Sequence, residues 1–189
     1  MTKTDDAWEV KVVDNWPGTG EKLEKIESRI AFAKENPGWE ADRWGRDIPA
    51  GAKSYTWTKM LLDADAIATK YDSKVLSGKL DHGLLDLPEG MSPEEVVTAF
   101  LLNFRVHVMS ELEKTHGTAT VKITPIDFWF TVPATWQEVA VATTREAAIN
   151  AGFCSRKDDT LNFITEPEAA AIAILSYHTT KNPYLLRVR

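Results

Sequence analysis

The order of apolar and turn-forming residues between Phe130 and Ala173 constrains the fold of this chain more than any other feature. The apolar run that ends at Val132 predicts a buried strand, Pro133 predicts a turn, and the residues that follow have the periodicity of a helix. A second apolar run begins at Leu161 and leads into a second, alanine-rich helix. Strand, helix, strand and helix in this order predict two helices packed on a sheet, and therefore an α/β fold.

A long helix is predicted ahead of this segment. Ser92 is a suitable N-cap, Pro93 suits the first helical position, and Glu95 can complete a capping box with the serine. Apolar residues then recur at spacings of three and four, which predicts one buried face of a helix that ends by Gly117. These apolar residues are Val97, Leu101, Phe104, Val108 and Leu112.

The N-terminal half predicts shorter elements. Trp8 to Val13 and Ile26 to Ala33 have the pattern of strands, and Ala52 to Asp63 has that of a short helix. The segment from Ala64 to Met91 is polar and contains several glycines, which favours irregular structure. Gly18-Thr19-Gly20 has the spacing of a phosphate loop, but neither a Lys-Ser/Thr pair nor a helix start follows, so an ordinary loop is favoured.

Composition excludes several classes of protein. With 189 residues, 43% of them hydrophobic and 26% charged, the chain can form one sizeable core or two small ones. The net charge of −6 argues against nucleic-acid binding, which needs clustered Lys and Arg. No apolar run approaches the roughly 20 residues of a membrane span, and the N-terminus lacks the features of a signal peptide. We therefore expect no membrane contact and a cytoplasmic location.

The cysteine and histidine residues do not predict a metal site or a disulfide. Cys154 is the only cysteine, so no disulfide can form within the chain. The four histidines are not spaced as metal ligands and have no cysteine pair near them. We expect no metal bound directly by these side chains.

Several short motifs resemble the nucleotide-binding domain of the 70-kDa heat-shock proteins. Val132-Pro133-Ala134 matches the VPA motif of that family, and the sequence EPEAAA at 166–171 matches its EP-x-AAA motif, one helix and one strand later. Trp16-Pro17-Gly18, the strand from Arg29 to Ala33 and Trp44-Gly45 occur in the order found in the divergent fungal and animal branch. The resemblance implies an actin-like, ribonuclease-H-like ATPase fold.

The resemblance also implies that the chain is a partial domain, mostly lobe I. A peripheral subdomain would cover residues 8–117, a central sheet and helix portion 118–178, and an unrelated or truncated tail 179–189. The phosphate loops that the family places ahead of Trp8 and after the last helix have no counterpart here. We therefore expect one edge of the central strand to lack its usual partner.

Three residues acquire possible functions from the resemblance. Lys59 matches a lysine whose ammonium faces the γ-phosphate, and Glu166 matches the EP glutamate, which lies near metal and nucleotide and helps to position the attacking water. Pro133 matches a proline that relays the presence of nucleotide to distant domains. Val141 stands where the chaperones place the arginine partner of this proline, so transmission to a substrate domain is not expected.

Each of these residues also has a purely structural interpretation. Lys59 could be a solvated surface lysine. Glu166 could satisfy free backbone N–H groups and the dipole of the last helix, whose first turn Glu168 is expected to cap. Pro133 could simply end a strand, because proline donates no N–H to a sheet.

The function implied by the resemblance is that of a chaperone-type domain that binds ATP or ADP with Mg²⁺. Phosphoryl transfer depends on groups that surround the phosphates together, and both phosphate loops are missing, so we expect weak or no ATP hydrolysis from the isolated chain. The alternative is a non-catalytic scaffold for protein partners, to which an unpaired sheet edge and seven tryptophans would contribute contacts. An unrelated small α/β hydrolase is disfavoured, because the chain has no G-x-S-x-G motif.

Overall fold

The computed structural model describes residues 2–4, 7–18, 20–63 and 87–181. Within these ranges the α-helices are α1 (Pro93–His116), α2 (Thr118–Ile123), α3 (Glu138–Asn150) and α4 (Glu166–Lys181). The strands are β1 (Thr2–Thr4), β2 (Ala7–Glu9), β3 (Arg29–Ala31), β4 (Arg43–Trp44), β5 (Tyr55–Thr56), β6 (Asp127–Val132) and β7 (Thr160–Thr165). Short 3-10 helices cover Ala33–Glu35, Gly45–Asp47 and Thr58–Leu62. Residues 64–86 of the predicted irregular segment and residues 182–189 of the predicted tail lie outside the described part.

The strands form three small sheets. Strands β1 and β2 pair as an antiparallel hairpin, and β4, β3 and β5 form an antiparallel sheet in that order. Strands β6 and β7 are parallel and in register over six residue pairs, from Asp127 opposite Thr160 to Val132 opposite Thr165. Parallel strands need a crossover connection, and α3 lies within it. The chain is therefore a mixed α/β structure, as predicted.

The element order predicted between Phe130 and Ala173 is confirmed. Strand β6 ends at Val132, and the next residues form a turn in which the Pro133 carbonyl accepts a hydrogen bond from the Trp136 amide at 3.2 Å. Helix α3 follows, then β7 and α4. Among the residues the structure describes, β6 and β7 pair only with each other, so each has one edge without a neighbouring strand.

The predicted start of the long helix is also confirmed. Ser92 Oγ accepts a hydrogen bond from the Glu95 amide at 3.2 Å, and the Glu95 carboxylate accepts one from the Ser92 amide at 2.7 Å. The hydrogen bond from the Ser92 amide, and secondarily one from the Ser92 side chain, favours the ionised carboxylate, so the pKa of Glu95 is lowered. The buried face of α1 is concentrated in its first turns, whereas Val108 and Leu112 are only half-buried. Its buried residues are Val96, Val97, Phe100 and Leu101.

The helix predicted from Ala52 to Asp63 is wrong. Tyr55 and Thr56 instead form β5, where their aromatic and β-branched side chains suit a strand paired with β3. Trp57 then adopts a left-handed backbone, with φ 58° and ψ 23°, which separates the strand from the 3-10 helix at Thr58–Leu62. This left-handed residue prevents one continuous α-helix across the segment.

Two predicted strands are shorter than expected. Strand β2 ends at Glu9 rather than at Val13, and β3 covers Arg29–Ala31 only. Val10 and Val12 are exposed, so the apolar alternation beyond Glu9 does not correspond to a buried face.

The buried apolar side chains of both halves form one cluster. Trp16 stacks on Phe104 with ring centroids 5.6 Å apart and lies 6.3 Å from Trp44 in an edge-on arrangement. Close packing also explains Gly18: its φ is 74°, and a β-carbon there would lie 2.4 Å from the Asp47 amide nitrogen. The buried members are Trp16, Ile30, Phe32, Trp44, Tyr55, Leu62, Val96, Val97, Phe100, Leu101, Ala147, Ala148, Ala151 and Phe153.

A buried carboxylate fixes the start of the parallel sheet. The side chain of Asp159, 2% exposed, accepts hydrogen bonds from the Ile126 amide at 2.9 Å and from Arg156 Nε at 2.8 Å. Arg156 also donates to the carbonyls of Val121 and Thr124, at the end of α2. Burial alone would raise the pKa of Asp159, but the hydrogen bonds from Arg156 and from the Ile126 amide lower it below its usual value. We call Arg156 and Asp159 the clasp.

Within the described ranges, no helix combines the length and the apolar character needed to cross a membrane.

Candidate functional site

Lys59 and Glu166, the two residues with predicted catalytic functions, are in direct contact. Lys59 Nζ lies 2.5 Å from Glu166 Oε1, although the residues are 107 positions apart in the sequence. Lys59 Nζ also lies 5.6 Å from the centroid of the Trp136 ring, in a cation–π arrangement. The Lys59 and Glu166 side chains are 41% and 50% exposed. The contact is therefore accessible to small molecules.

Lys59 is held in place by a short element that packs on two helices. The 3-10 helix at Thr58–Leu62 contacts α1 and α3, and its last residue, Leu62, is buried. Its first turn is closed by a hydrogen bond from the Met60 amide to the Trp57 carbonyl at 2.8 Å. The backbone of Lys59 is thus anchored, while its ammonium reaches the surface.

Glu166 is the first residue of α4 and follows β7 without a connecting loop. The capping hydrogen bonds at this helix start are made by its neighbours: the Glu168 carboxylate accepts from the Thr165 amide at 3.0 Å and from Thr165 Oγ1 at 2.7 Å. Thr165 Oγ1 in turn accepts from the Glu168 amide at 3.3 Å. The hydrogen bond from the Thr165 hydroxyl is the main cause of a lowered Glu168 pKa. The predicted capping function of Glu168 is confirmed, and the Glu166 side chain contacts Lys59 instead.

Pro133 lies at the same end of the parallel sheet as Glu166. Val132 is opposite Thr165 in the last pair of the register, so Pro133 and Glu166 each follow by one residue. Pro133 is half-buried. In α/β proteins, ligands commonly bind beyond the carboxyl ends of parallel strands, the position at which these two residues lie.

The Lys59–Glu166 ion pair contributes little to stability. Exposed ion pairs are worth about 0–1 kcal/mol, because water and salt compete for both charges and two long side chains must be ordered. The cation–π contact with Trp136 adds about 0.5–1 kcal/mol at a partly exposed position. A negatively charged ligand group can therefore replace the Glu166 carboxylate as the partner of Lys59 at low energetic cost.

An open groove of about 450 Å³ lies beside Lys59. Trp57, on its wall, is 60% exposed despite being a large aromatic residue. Its left-handed backbone costs about 1–2 kcal/mol for a residue with a β-carbon. Sequence reasoning missed Trp57, because nothing in the residue type signals a left-handed conformation. The groove is lined by Glu27, Ser28, Arg29, Thr56, Trp57, Lys59 and Met60.

A second open groove, of about 360 Å³, lies along α3 and begins at Trp136. Val141 lines this groove. Arg145 lines it as well, and its guanidinium lies 4.4 Å from the centroid of the Phe163 ring. This groove lacks a lysine and is less suited than the first to hold a phosphate.

The described residues around Lys59 offer few ligands for a metal ion. Across residues 2–4, 7–18, 20–63 and 87–181, no three His, Cys, Asp or Glu side chains are grouped as metal ligands. Mg²⁺ in nucleotide sites is commonly held by one or two carboxylates together with phosphate oxygens and water. Glu166 is an exposed carboxylate of the kind that could make one such contact.

The structure thus brings Lys59 and Glu166 together and sets Pro133 at the same sheet end. No protein-family model matches this chain, and a search of curated proteins returned no match. The chemistry available at this site follows from its own side chains: one accessible ammonium, one accessible carboxylate and two tryptophan rings.

Proposed function

We propose that this chain is a partial chaperone-type ATP-binding domain similar to that of the 70-kDa heat-shock proteins, with an actin-like, ribonuclease-H-like fold. It binds ATP or ADP with Mg²⁺ and hydrolyses ATP weakly or not at all. One observation carries the proposal: Lys59 Nζ and Glu166 Oε1 are 2.5 Å apart. The resemblance assigns both residues to the same phosphate region, and their contact agrees with that assignment.

Lys59 would bind the terminal phosphates. Its ammonium is a compact positive charge that can donate three hydrogen bonds, and 41% exposure leaves it open to a phosphate. Glu166 holds that ammonium in the absence of ligand. A phosphate would replace the carboxylate as the partner of Lys59 at little cost, because the exposed ion pair is weak.

Glu166 makes Mg²⁺ necessary for tight binding. A phosphate on Lys59 would lie close to the Glu166 carboxylate, and two negative groups at such a distance repel each other. A divalent cation between them converts the repulsion into attraction. Binding should therefore be stronger for the Mg²⁺ complex of the nucleotide than for the free nucleotide.

Hydrolysis is not expected from these residues alone. Catalysis of phosphoryl transfer requires donors around the transferred group, a positioned water and a bound metal at the same time. Lys59 and Glu166 supply one cation and one carboxylate, and 50% exposure of Glu166 leaves the position of a water poorly fixed.

Calorimetric titration with ADP and ATP, with and without Mg²⁺, tests the proposal. Lys59→Met should weaken binding about tenfold, the effect of losing one hydrogen bond to a charged group. Lys122→Met, which removes an exposed lysine on α2, is the matched control and should leave binding unchanged. Glu166→Gln should strengthen binding of the free nucleotide and reduce the gain from Mg²⁺. Failure of the folded wild-type protein to bind millimolar nucleotide would reject the proposal.

A non-catalytic interaction scaffold is the second candidate, and the exposed apolar residues of α4 favour it. Ile172, Ile174 and Leu175 are 55%, 58% and 46% exposed, and the helix between them is otherwise alanine. Helices this apolar are usually covered by other elements. In sedimentation velocity, the wild-type chain should then self-associate with rising concentration, and Ile174→Lys should prevent it without changing nucleotide binding. A wild-type chain that stays monomeric would contradict self-association.

A further inference from the structure

We propose that Trp136 is a positioning residue for Lys59: its ring keeps the lysine ammonium at the site after a phosphate has replaced Glu166. The inference rests on the proposed nucleotide binding and adds the group that orders the cation. Its basis is that Lys59 Nζ lies 5.6 Å from the centroid of the Trp136 ring and 2.5 Å from Glu166 Oε1. One of these partners is charged and the other is neutral, so a bound phosphate affects them differently.

The charged partner is displaced when a phosphate binds, whereas the ring stays in contact. A phosphate on Lys59 repels the Glu166 carboxylate, because both carry negative charge. The Trp136 ring has no net charge and attracts the ammonium through the negative face of its π-system. The distance of 5.6 Å lies within the roughly 6 Å over which cation–π contacts act. The ring therefore holds the ammonium both with and without ligand.

Lys59 needs this support because its side chain is long and accessible. The side chain is 41% exposed and has a flexible four-carbon stem, so fixing it in one geometry costs rotamer entropy. Without the ring, an ammonium released by Glu166 would sample many rotamers, and the phosphate would have to order it again. With the ring, part of this ordering is complete before the ligand arrives, which raises the affinity.

Trp136 is itself fixed by its surroundings. Its amide donates a hydrogen bond to the Pro133 carbonyl at 3.2 Å, in the turn that joins β6 to α3. Its half-buried side chain packs against the buried apolar cluster. The 3-10 helix that carries Lys59 packs on α3, so the ring and the ammonium come from neighbouring elements. A ring anchored in this way can position a flexible binding group.

The ring also lies at the end of the parallel sheet where the ligand is expected. Strand β6 ends at Val132, and Trp136 lies in the turn that follows. Strand β7 ends at Thr165, the residue opposite Val132, and Glu166 follows it directly. Both partners of the Lys59 ammonium therefore lie beyond the carboxyl ends of paired strands, the usual position of ligands in α/β proteins.

Calorimetric titration with ADP and with inorganic pyrophosphate, both in the presence of Mg²⁺, tests the inference. Trp136→Leu should weaken the binding of both compounds about two- to fivefold, the strength of one exposed cation–π contact. The factor should be the same for both, because the ring acts on the ammonium and not on a base. Trp136→Phe should restore most of the affinity, since a phenyl ring also has a negative face. Urea unfolding verifies the fold of each variant, and Trp136→Met serves as the non-aromatic variant if Trp136→Leu does not fold.

The dependence on Lys59 separates positioning from a purely structural role. In a Lys59→Met background, Trp136→Leu should cause no further loss of affinity, whereas damage to the fold would weaken binding in either background. Trp129→Leu is the matched control, because it removes another indole, 62% exposed on β6, and should leave binding unchanged.

Three results would overturn the inference and leave the proposed nucleotide binding intact. Trp136→Leu could bind pyrophosphate as tightly as wild type, Trp136→Phe could bind no better than Trp136→Leu, or the loss could persist in the Lys59→Met background. If the folded wild-type protein binds neither compound, the proposed function fails and the inference fails with it.

Discussion

Replacing Asp159 with alanine should destabilise the fold by about 3 kcal/mol, near the low end of the cost of breaking a buried ion pair. The substitution removes the acceptor of three hydrogen bonds: from the Ile126 amide at 2.9 Å, from Arg156 Nε at 2.8 Å and from Arg156 Nη2 at 2.5 Å. The cost stays below the upper end of the range because the Arg156 side chain is 27% exposed and can be partly rehydrated. Arg156 also keeps its hydrogen bond to the Thr124 carbonyl.

The cost should depend on pH. The pKa of Asp159 is lowered in the folded protein: burial opposes ionisation, but the hydrogen bonds from Arg156 and Ile126 outweigh it. A carboxylate whose pKa is lower in the folded state stabilises the fold above its unfolded pKa, about 3.9 for aspartate. This contribution is lost as the pH falls through the lower, folded pKa. The loss in free energy of unfolding caused by Asp159→Ala should thus be complete at pH 7 and become smaller below about pH 4.

Urea unfolding followed by circular dichroism measures the free-energy cost of Asp159→Ala and the change of this cost with pH. Asp158→Ala is the matched control, because Asp158 is the exposed neighbour of Asp159, and its substitution should change the free energy of unfolding by less than about 0.5 kcal/mol. The reasoning is refuted if Asp159→Ala costs no more than this control at pH 7. A deficit that stays constant from pH 7 to the lowest pH at which the chain folds would refute the assigned ionisation.

Three further experiments test other parts of the structure in the same unfolding assay. Phe153→Ala should cost about 3–5 kcal/mol, because this 3% exposed ring packs edge-on against two phenylalanines of β6; a cost under 1 kcal/mol would contradict that packing. Gly18→Ala should cost about 2 kcal/mol or more, since its φ is 74° and the added carbon would meet the Asp47 backbone; an unchanged stability would disprove the close approach. A double-mutant cycle with Lys59→Met and Glu166→Gln should give a coupling below about 1 kcal/mol, and a value above 2 kcal/mol would mean that the pair holds the fold together.

Local signals in the sequence were sufficient to predict the elements that are stabilised by contacts between residues no more than four positions apart. The capping box of Ser92 and Glu95 and the cap formed by Glu168 at Thr165 are of this kind. The strand, helix, strand and helix around α3 followed from apolar periodicity, since each element buries one face. The mixed α/β class could be predicted for the same reason.

Features that depend on distant contacts or on rare backbone conformations could not be predicted. Strand β5 forms because Tyr55 pairs with Ile30, and the sequence near Tyr55 looks helical without that partner. The left-handed backbone of Trp57 has no sequence signal in a residue of this size. Arg156 and Asp159 are three residues apart, but the clasp acts by reaching Ile126 and Thr124, more than thirty positions earlier. The family resemblance gave Lys59 and Glu166 separate functions near a phosphate, but their direct contact across 107 positions was not predicted.

The clasp and Glu166 lie beyond opposite ends of β7, a strand of six residues, Thr160–Thr165. At about 3.3 Å per residue, the strand separates them by roughly 20 Å. Free-energy effects of substitutions more than about 10 Å apart, with no shared partner, usually add. The clasp can therefore be used as an independent control of stability. In the double variant Asp159→Ala/Lys59→Met, the loss in free energy of unfolding should equal the sum of the losses in the two single variants. Any loss of nucleotide affinity in the double variant should come from Lys59→Met alone.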